Sequence, residues 1–156
     1  MISRLQPPNV RVLSLTTIAT PHRGSAFADY VFDSIGKTNT RRLYKVLEYF
    51  GIETGAFRQL TEQYMQEKFN PRTPDVDGVK YYSYGACFQP HLMSVFRQSH
   101  HIIKADEGPN DGMVSVRSSH WGDYKGTLDQ VSHLDLINWT NRLRWYLWEL
   151  TGHKRK

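Results

Sequence analysis

The sequence predicts an α/β fold, because two β-branched runs are separated by a long stretch of helical periodicity and followed by a terminal apolar helix. Its 156 residues, 39% of them hydrophobic and 13% aromatic, suit one domain with a real core and exclude a disordered chain.

Taken in order, Val10–Thr20 is dense in Val, Leu, Ile and Thr and stops at Pro21, as a strand does. Ala26-Phe27-Ala28-Asp29 opens a helix for which Ser25 is the candidate N-cap. Leu43, Val46, Leu47 and Phe50 recur at helical spacing, and Gly51 closes that segment. Phe57, Leu60, Tyr64 and Phe69 suggest a further helix, stopped at Asn70-Pro71. Asp77-Gly78 then turns the chain into a second strand, Val79–Ala86. A short third strand is expected near His101–Lys104. The last helix runs from about His133 to Thr151, with Leu136, Trp139, Leu143, Tyr146, Leu147 and Leu150 on one stripe and Gly152 at its end. Two or three strands make a small sheet for this architecture.

Charge and composition exclude several function classes. The net charge is +5, but Lys and Arg are scattered. The one dense run, His153–Lys156, reads as a solvated tail, so no nucleic-acid partner is expected. With Cys87 as the single cysteine, an intramolecular disulfide is impossible. No apolar run reaches the roughly 18 residues of a membrane span. Met1–Leu5 lacks signal-peptide character and reads as the last turn of a helix.

In open α/β sheets, ligands gather at the carboxyl ends of strands. Three polar loops are candidates. Thr20-Pro21-His22-Arg23-Gly24-Ser25 follows the first strand and is, taken alone, a well-made strand-to-helix loop. Gly108-Pro109-Asn110-Asp111-Gly112 is rich in turn formers, so Asp111 has a structural reading as a turn residue. Ser132-His133-Leu134-Asp135 matches a capping box, which explains Asp135 without function. The combination adds a second reading. Asp111 followed by His133 at the start of the last helix supplies two members of a Ser-His-Asp triad, in the chain order that an α/β-hydrolase requires. A histidine metal site built from His91, His100, His101 and His120 is the weaker alternative, since the sequence has no H-E-x-x-H and no cysteine pair.

Three segments resemble the bacterial family I lipases and the fungal triacylglycerol lipases. They are the T-P-H-R-G-S run from Thr20 to Ser25, the segment Asn110–Ser115 with Ser118-Ser119 and Gly122 behind it, and Ser132-His133-Leu134-Asp135. The resemblance covers residues 10–35 and 80–140. It implies the C-terminal part of an α/β-hydrolase fold, with the N-terminal strands and the nucleophile elbow absent and residues 26–76 forming a helical, lid-like insert. It further implies Asp111 as triad acid, His133 as general base, and His22 and Arg23 bordering the acyl site. In bacterial members a carboxylate at the Asp135 position helps ligate calcium, so a structural Ca²⁺ is implied alongside the capping reading.

The implied substrate is an acylglycerol or related lipid ester. Phe27, Tyr30, Val31, Phe32, Tyr44, Tyr49, Phe50 and Phe57 of the insert suit a lipid surface, or equally the packed faces of ordinary amphipathic helices. The fungal members imply an intracellular, including mitochondrial, setting by analogy alone. The departure lies in the nucleophile: no G-x-S-x-G occurs, and Ser25, Ser83 and Cys87 lack its pattern. The resemblance places the missing serine upstream of Met1, so the chain by itself is expected to be inactive. A lipid acyltransferase, a deacylase of lipid anchors and an inactive, partner-binding chain are the competing readings.

Overall fold

A computed structural model of the protein describes residues 2–6, 8–35 and 58–138. Its sheet has three strands, β1 (Ser14–Ile18), β2 (Lys80–Cys87) and β3 (Asp123–Asp129), in the order β1-β2-β3 and parallel throughout. Parallel neighbours require crossovers, which is why each strand is followed by loops and helices rather than a hairpin. Ser14 is opposite Lys80 and Ile18 opposite Tyr84, so the first two strands begin level and β2 runs on past the end of β1 to Cys87.

Among the described residues four helical segments accompany the sheet. They are α1 (Ala26–Ile35), α2 (Glu62–Tyr64), α3 (Arg97–Asp106) and α4 (His133–Leu136). Helix α2 continues as a π turn over Met65–Phe69 and a 3₁₀ turn over Asn70–Arg72. Proline sits in that last turn, where it ends the segment as expected from Asn70-Pro71. The apolar core lies between α1 and α3, where Phe27, Ala28 and Val31 pack on Ile103, with Leu60, Ile102 and Met113 against them.

Three expectations need correction. Residues 101–104 are helical, inside α3. Ile102-Ile103 gave them a strand-like look, but Ser99, His100 and Ile103 are buried on one helical face with Phe96 before them. Two polar members hide that face from a hydrophobicity pattern. The third strand is instead Asp-Tyr-Lys-Gly-Thr-Leu-Asp at 123–129, whose composition gives no strand signal. Backbone pairing with β2 holds it, together with the Tyr124 hydroxyl, which accepts from the Gly85 N–H at 3.2 Å. Ser83 faces Tyr124 while Tyr84 faces Gly126, so Lys125 is an extra residue bulging from β3.

Finally, Ser25 does not cap α1 with its side chain. Its hydroxyl donates to the Met113 carbonyl at 2.7 Å, and the Ala26 N–H at the helix start goes to Glu107 Oε1 at 2.9 Å. Within the proposed insert, Phe27 and Val31 are core residues rather than surface ones, whereas Tyr30 and Phe32 are exposed. Tyr44, Tyr49, Phe50 and Phe57, the helix around Leu43–Phe50, and the terminal helix beyond Asn138 lie outside the described residues.

Candidate active site

The three sequence motifs meet at the carboxyl ends of the strands. After β2 the chain returns through α3 to the turn at Asp111, which is fully buried. Asp111 Oδ1 accepts the N–H groups of Met113 and Val114 at 2.9 and 2.8 Å, a tight side-chain turn. Its Oδ2 is left to accept from His133 Nδ1 at 2.7 Å. The His133 N–H also donates to the Asp111 carbonyl at 2.9 Å, so main chain and side chain tie the same two residues. Asp111 is thus a turn residue whose free oxygen also holds an imidazole.

His133 opens α4 immediately after Ser132. The Ser132 N–H and hydroxyl both donate to Asp135 Oδ2, at 3.0 and 2.6 Å. The capping box expected here is present, and it fixes the backbone that presents the imidazole. It engages one oxygen of the Asp135 carboxylate, Oδ2. The His133 side chain is 34% exposed, and among the described residues no side chain is hydrogen-bonded to its Nε2. A neutral imidazole that donates from Nδ1 to a carboxylate has Nε2 free to accept a proton.

The Thr20–Ser25 loop braces this arrangement. The Arg23 N–H donates to Ser118 Oγ at 3.2 Å, and the Ser118 hydroxyl in turn donates to the Gly24 carbonyl. Ser115 donates to Glu107 Oε2, whose other oxygen holds the Ala26 N–H. Gly24 has φ +94° and lies against the Glu62 backbone, where a Cβ would come within 2.5 Å of Glu62 Cα. Glu107 is the residue that sequence reasoning missed. A lone glutamate after a helix carries no motif, and only the fold brings it to the start of α1.

His22 is partly buried. Its Nε2 is 2.9 Å from Thr17 Oγ1, and its ring stacks on Trp121 with centroids 5.1 Å apart. Burial pushes its pKa down to about 4, so it is neutral at physiological pH. It lines a cavity of about 740 Å³ with Leu15, Leu60, Tyr64, Phe69 and Trp121. Neither Asp111 nor His133 lines that cavity, and the Arg23 side chain is exposed and outside it.

The stand-in nucleophiles are all engaged otherwise. Ser83 is fully buried, donating to the Trp121 carbonyl at 2.7 Å and accepting from its N–H at 2.9 Å. Ser25 is spent on Met113. Burial and the neighbouring Asp129 raise the Cys87 thiol above its ordinary pKa, the wrong direction for a nucleophile. Among the described residues, the group of acidic, His or Cys side chains close enough to share an ion is Glu62, Asp106 and Glu107. None of His91, His100, His101, His120 or Asp135 belongs to it.

No family model matches the chain. It is 44% identical over 147 residues to triacylglycerol lipase 2 of Saccharomyces cerevisiae (strain ATCC 204508 / S288c), a match covering 92% of this chain and 43% of that protein. A Bacillus licheniformis lipase in its mature form superposes with TM-score 0.61 at 18% identity, covering 85% of this chain and 52% of the lipase. A metagenomic carboxyl esterase gives TM-score 0.61 at 19% identity, covering 83% of this chain and 40% of that one. Sequence and fold therefore agree: the chain is lipase-like, carries part of an α/β-hydrolase fold, and spans 43% of the length of the curated relative it matches.

Proposed function

We propose that this chain supplies the acid and base of a serine ester hydrolase acting on acylglycerols or related apolar acyl esters. The observation that carries the reading is the 2.7 Å bond from His133 Nδ1 to the buried Asp111 carboxylate. In this reading a serine outside these 156 residues attacks the ester carbonyl. His133 Nε2 takes the serine proton and returns it to the leaving alcohol, while Asp111 fixes the tautomer and stabilises the imidazolium. In the same reading His22 and Arg23 border the acyl site from the Thr20–Ser25 loop, although the apolar cavity that His22 lines contains neither Asp111 nor His133 and Arg23 lies outside it. The similarity to a yeast triacylglycerol lipase supports the ester class.

A serine-directed phosphonate tests this. The 156-residue chain is expected to remain unlabelled, while a product extended by its upstream coding sequence is labelled at one serine and loses that labelling when His133 is replaced by Ala. Labelling of the short chain itself sinks the external-nucleophile reading, and an extended product that never labels sinks the hydrolase reading.

A further inference from the structure

We infer that the loop between β2 and α3 is a docking element for an anionic lipid bilayer, inserting Leu92 and Met93 beneath a basic rim. Leu92 is 77% exposed, Met93 96% and Val95 53%, three large apolar side chains within four residues. Scattered exposed apolar residues are ordinary, but a cluster at a loop tip marks an interaction surface. The tip is held in shape. The Ser94 N–H donates to the His91 carbonyl at 3.0 Å, the Arg97 N–H to the Ser94 carbonyl at 3.1 Å, and Arg97 Nη1 reaches the Leu92 carbonyl at 3.4 Å. At its base, Phe88 meets buried Phe96 edge-on with centroids 6.1 Å apart.

Charge selects the occupant. The tip borders a shallow groove of about 850 Å³ that also carries Arg97, His101 and Lys104, and among the described residues no carboxylate lines it. Apolar side chains projecting past a cationic rim fit a layer of hydrocarbon under anionic headgroups. The loop also leaves the carboxyl end of β2. The Phe88 N–H bonds to the Asn110 carbonyl at 3.2 Å, and the Phe96 ring lies where a side chain on Gly112 would go. The tip is therefore rooted on the two neighbours of Asp111, after the carboxyl end of β2. The inference takes its purpose from the ester-hydrolase reading, but its measurement needs no turnover.

The test is flotation of the full 156-residue chain with vesicles of phosphatidylcholine, with and without phosphatidylglycerol. Binding is expected to the anionic vesicles and to weaken with salt. Leu92→Ser with Met93→Ser should reduce it by about tenfold or more. Arg97→Gln with Lys104→Gln should reduce it by roughly tenfold to thirtyfold, at about fivefold per cation near the surface. Lys68→Gln with Arg72→Gln is the control for diffuse attraction by a basic chain. Wild-type chain that stays with the unbound fraction overturns the proposal. So does an equal loss in the control pair, which makes the attraction diffuse. Sedimentation in which only the Leu92/Met93 variant loses self-association also overturns it, assigning the patch to a second copy. Because these side chains are exposed, the variants should keep the far-UV spectrum of the parent. Vesicle binding without phosphonate labelling of the extended product would leave the docking element standing and remove the hydrolase reading alone.

Discussion

Each oxygen of the Asp111 carboxylate meets a different need, Oδ1 closing a turn and Oδ2 holding His133. This separation makes Asp111→Asn informative. The amide oxygen can keep the Met113 and Val114 N–H groups, while its NH₂ meets Nδ1 and imposes the wrong imidazole tautomer. In the extended, active product kcat is expected to fall by about 10⁴-fold while the urea midpoint moves little. A proportionate loss of stability would show that Asp111 serves mainly the turn. His22 gives a pH prediction. Its folded pKa of about 4 lies below the ordinary histidine value of 6.5, so the unfolded chain binds a proton that the fold refuses. Stability is fully present above pH 6.5 and is lost as pH falls through the folded value. Because the ring is only partly buried, the slope should be a fraction of the ~1.4 kcal/mol per pH unit that one group can give. Urea midpoints of wild type and His22→Gln between neutral pH and pH 4 check this: the gap between them should narrow on acidification, and a constant gap would refute it.

At the scale of elements, the start of α1 depends on a residue from beyond α3. Glu107 accepts the Ala26 N–H with one oxygen and the Ser115 hydroxyl with the other. An uncapped helix start, and a Ser115 hydroxyl that keeps the Ser118 N–H but loses its own acceptor, together predict a loss of about 1–2 kcal/mol for Glu107→Ala. Glu107→Gln, which keeps one acceptor, should recover part of it. Thermal melts of the two variants decide; equal losses would mean that the charge matters and the acceptor does not. What was legible in sequence follows the same physics. β1 and β2 were readable because β-branched and aromatic residues concentrate in them. The capping box at Ser132 and the pairing of Asp111 with His133 were readable because both rest on short motifs in fixed order. β3 and α3 were not, since each is held by contacts to residues far away in sequence: Tyr124 reaches Gly85, and Ile103 packs on Phe27, Ala28 and Val31. Glu107 was invisible for the same reason.

For the whole molecule, the Asp111–His133 pair and the apolar cavity occupy different places, although His22 belongs to the same loop that braces Asp111. The Thr20–Ser25 motif thus has an architectural explanation that does not require contact with substrate. It locks the first crossover to the loop that carries the acid. Among the described residues no helix is long and apolar enough to cross a membrane. The exposed Leu92-Met93 tip sets out how the chain can meet lipid without one.

The parallel sheet has a consequence in time rather than in space. No pair of neighbouring strands can form from a local hairpin: Ser14 must find Lys80, and Tyr82 must find Asp123, before any sheet exists. Each encounter closes a long loop before contacts reward it, so folding is slowed by topology more than by marginal packing. During that delay β2 is an unpaired, Tyr-rich strand with two open edges, and a second unfolded chain can reach it as readily as β1 can. Refolding yield should therefore depend on dilution well before stability becomes limiting.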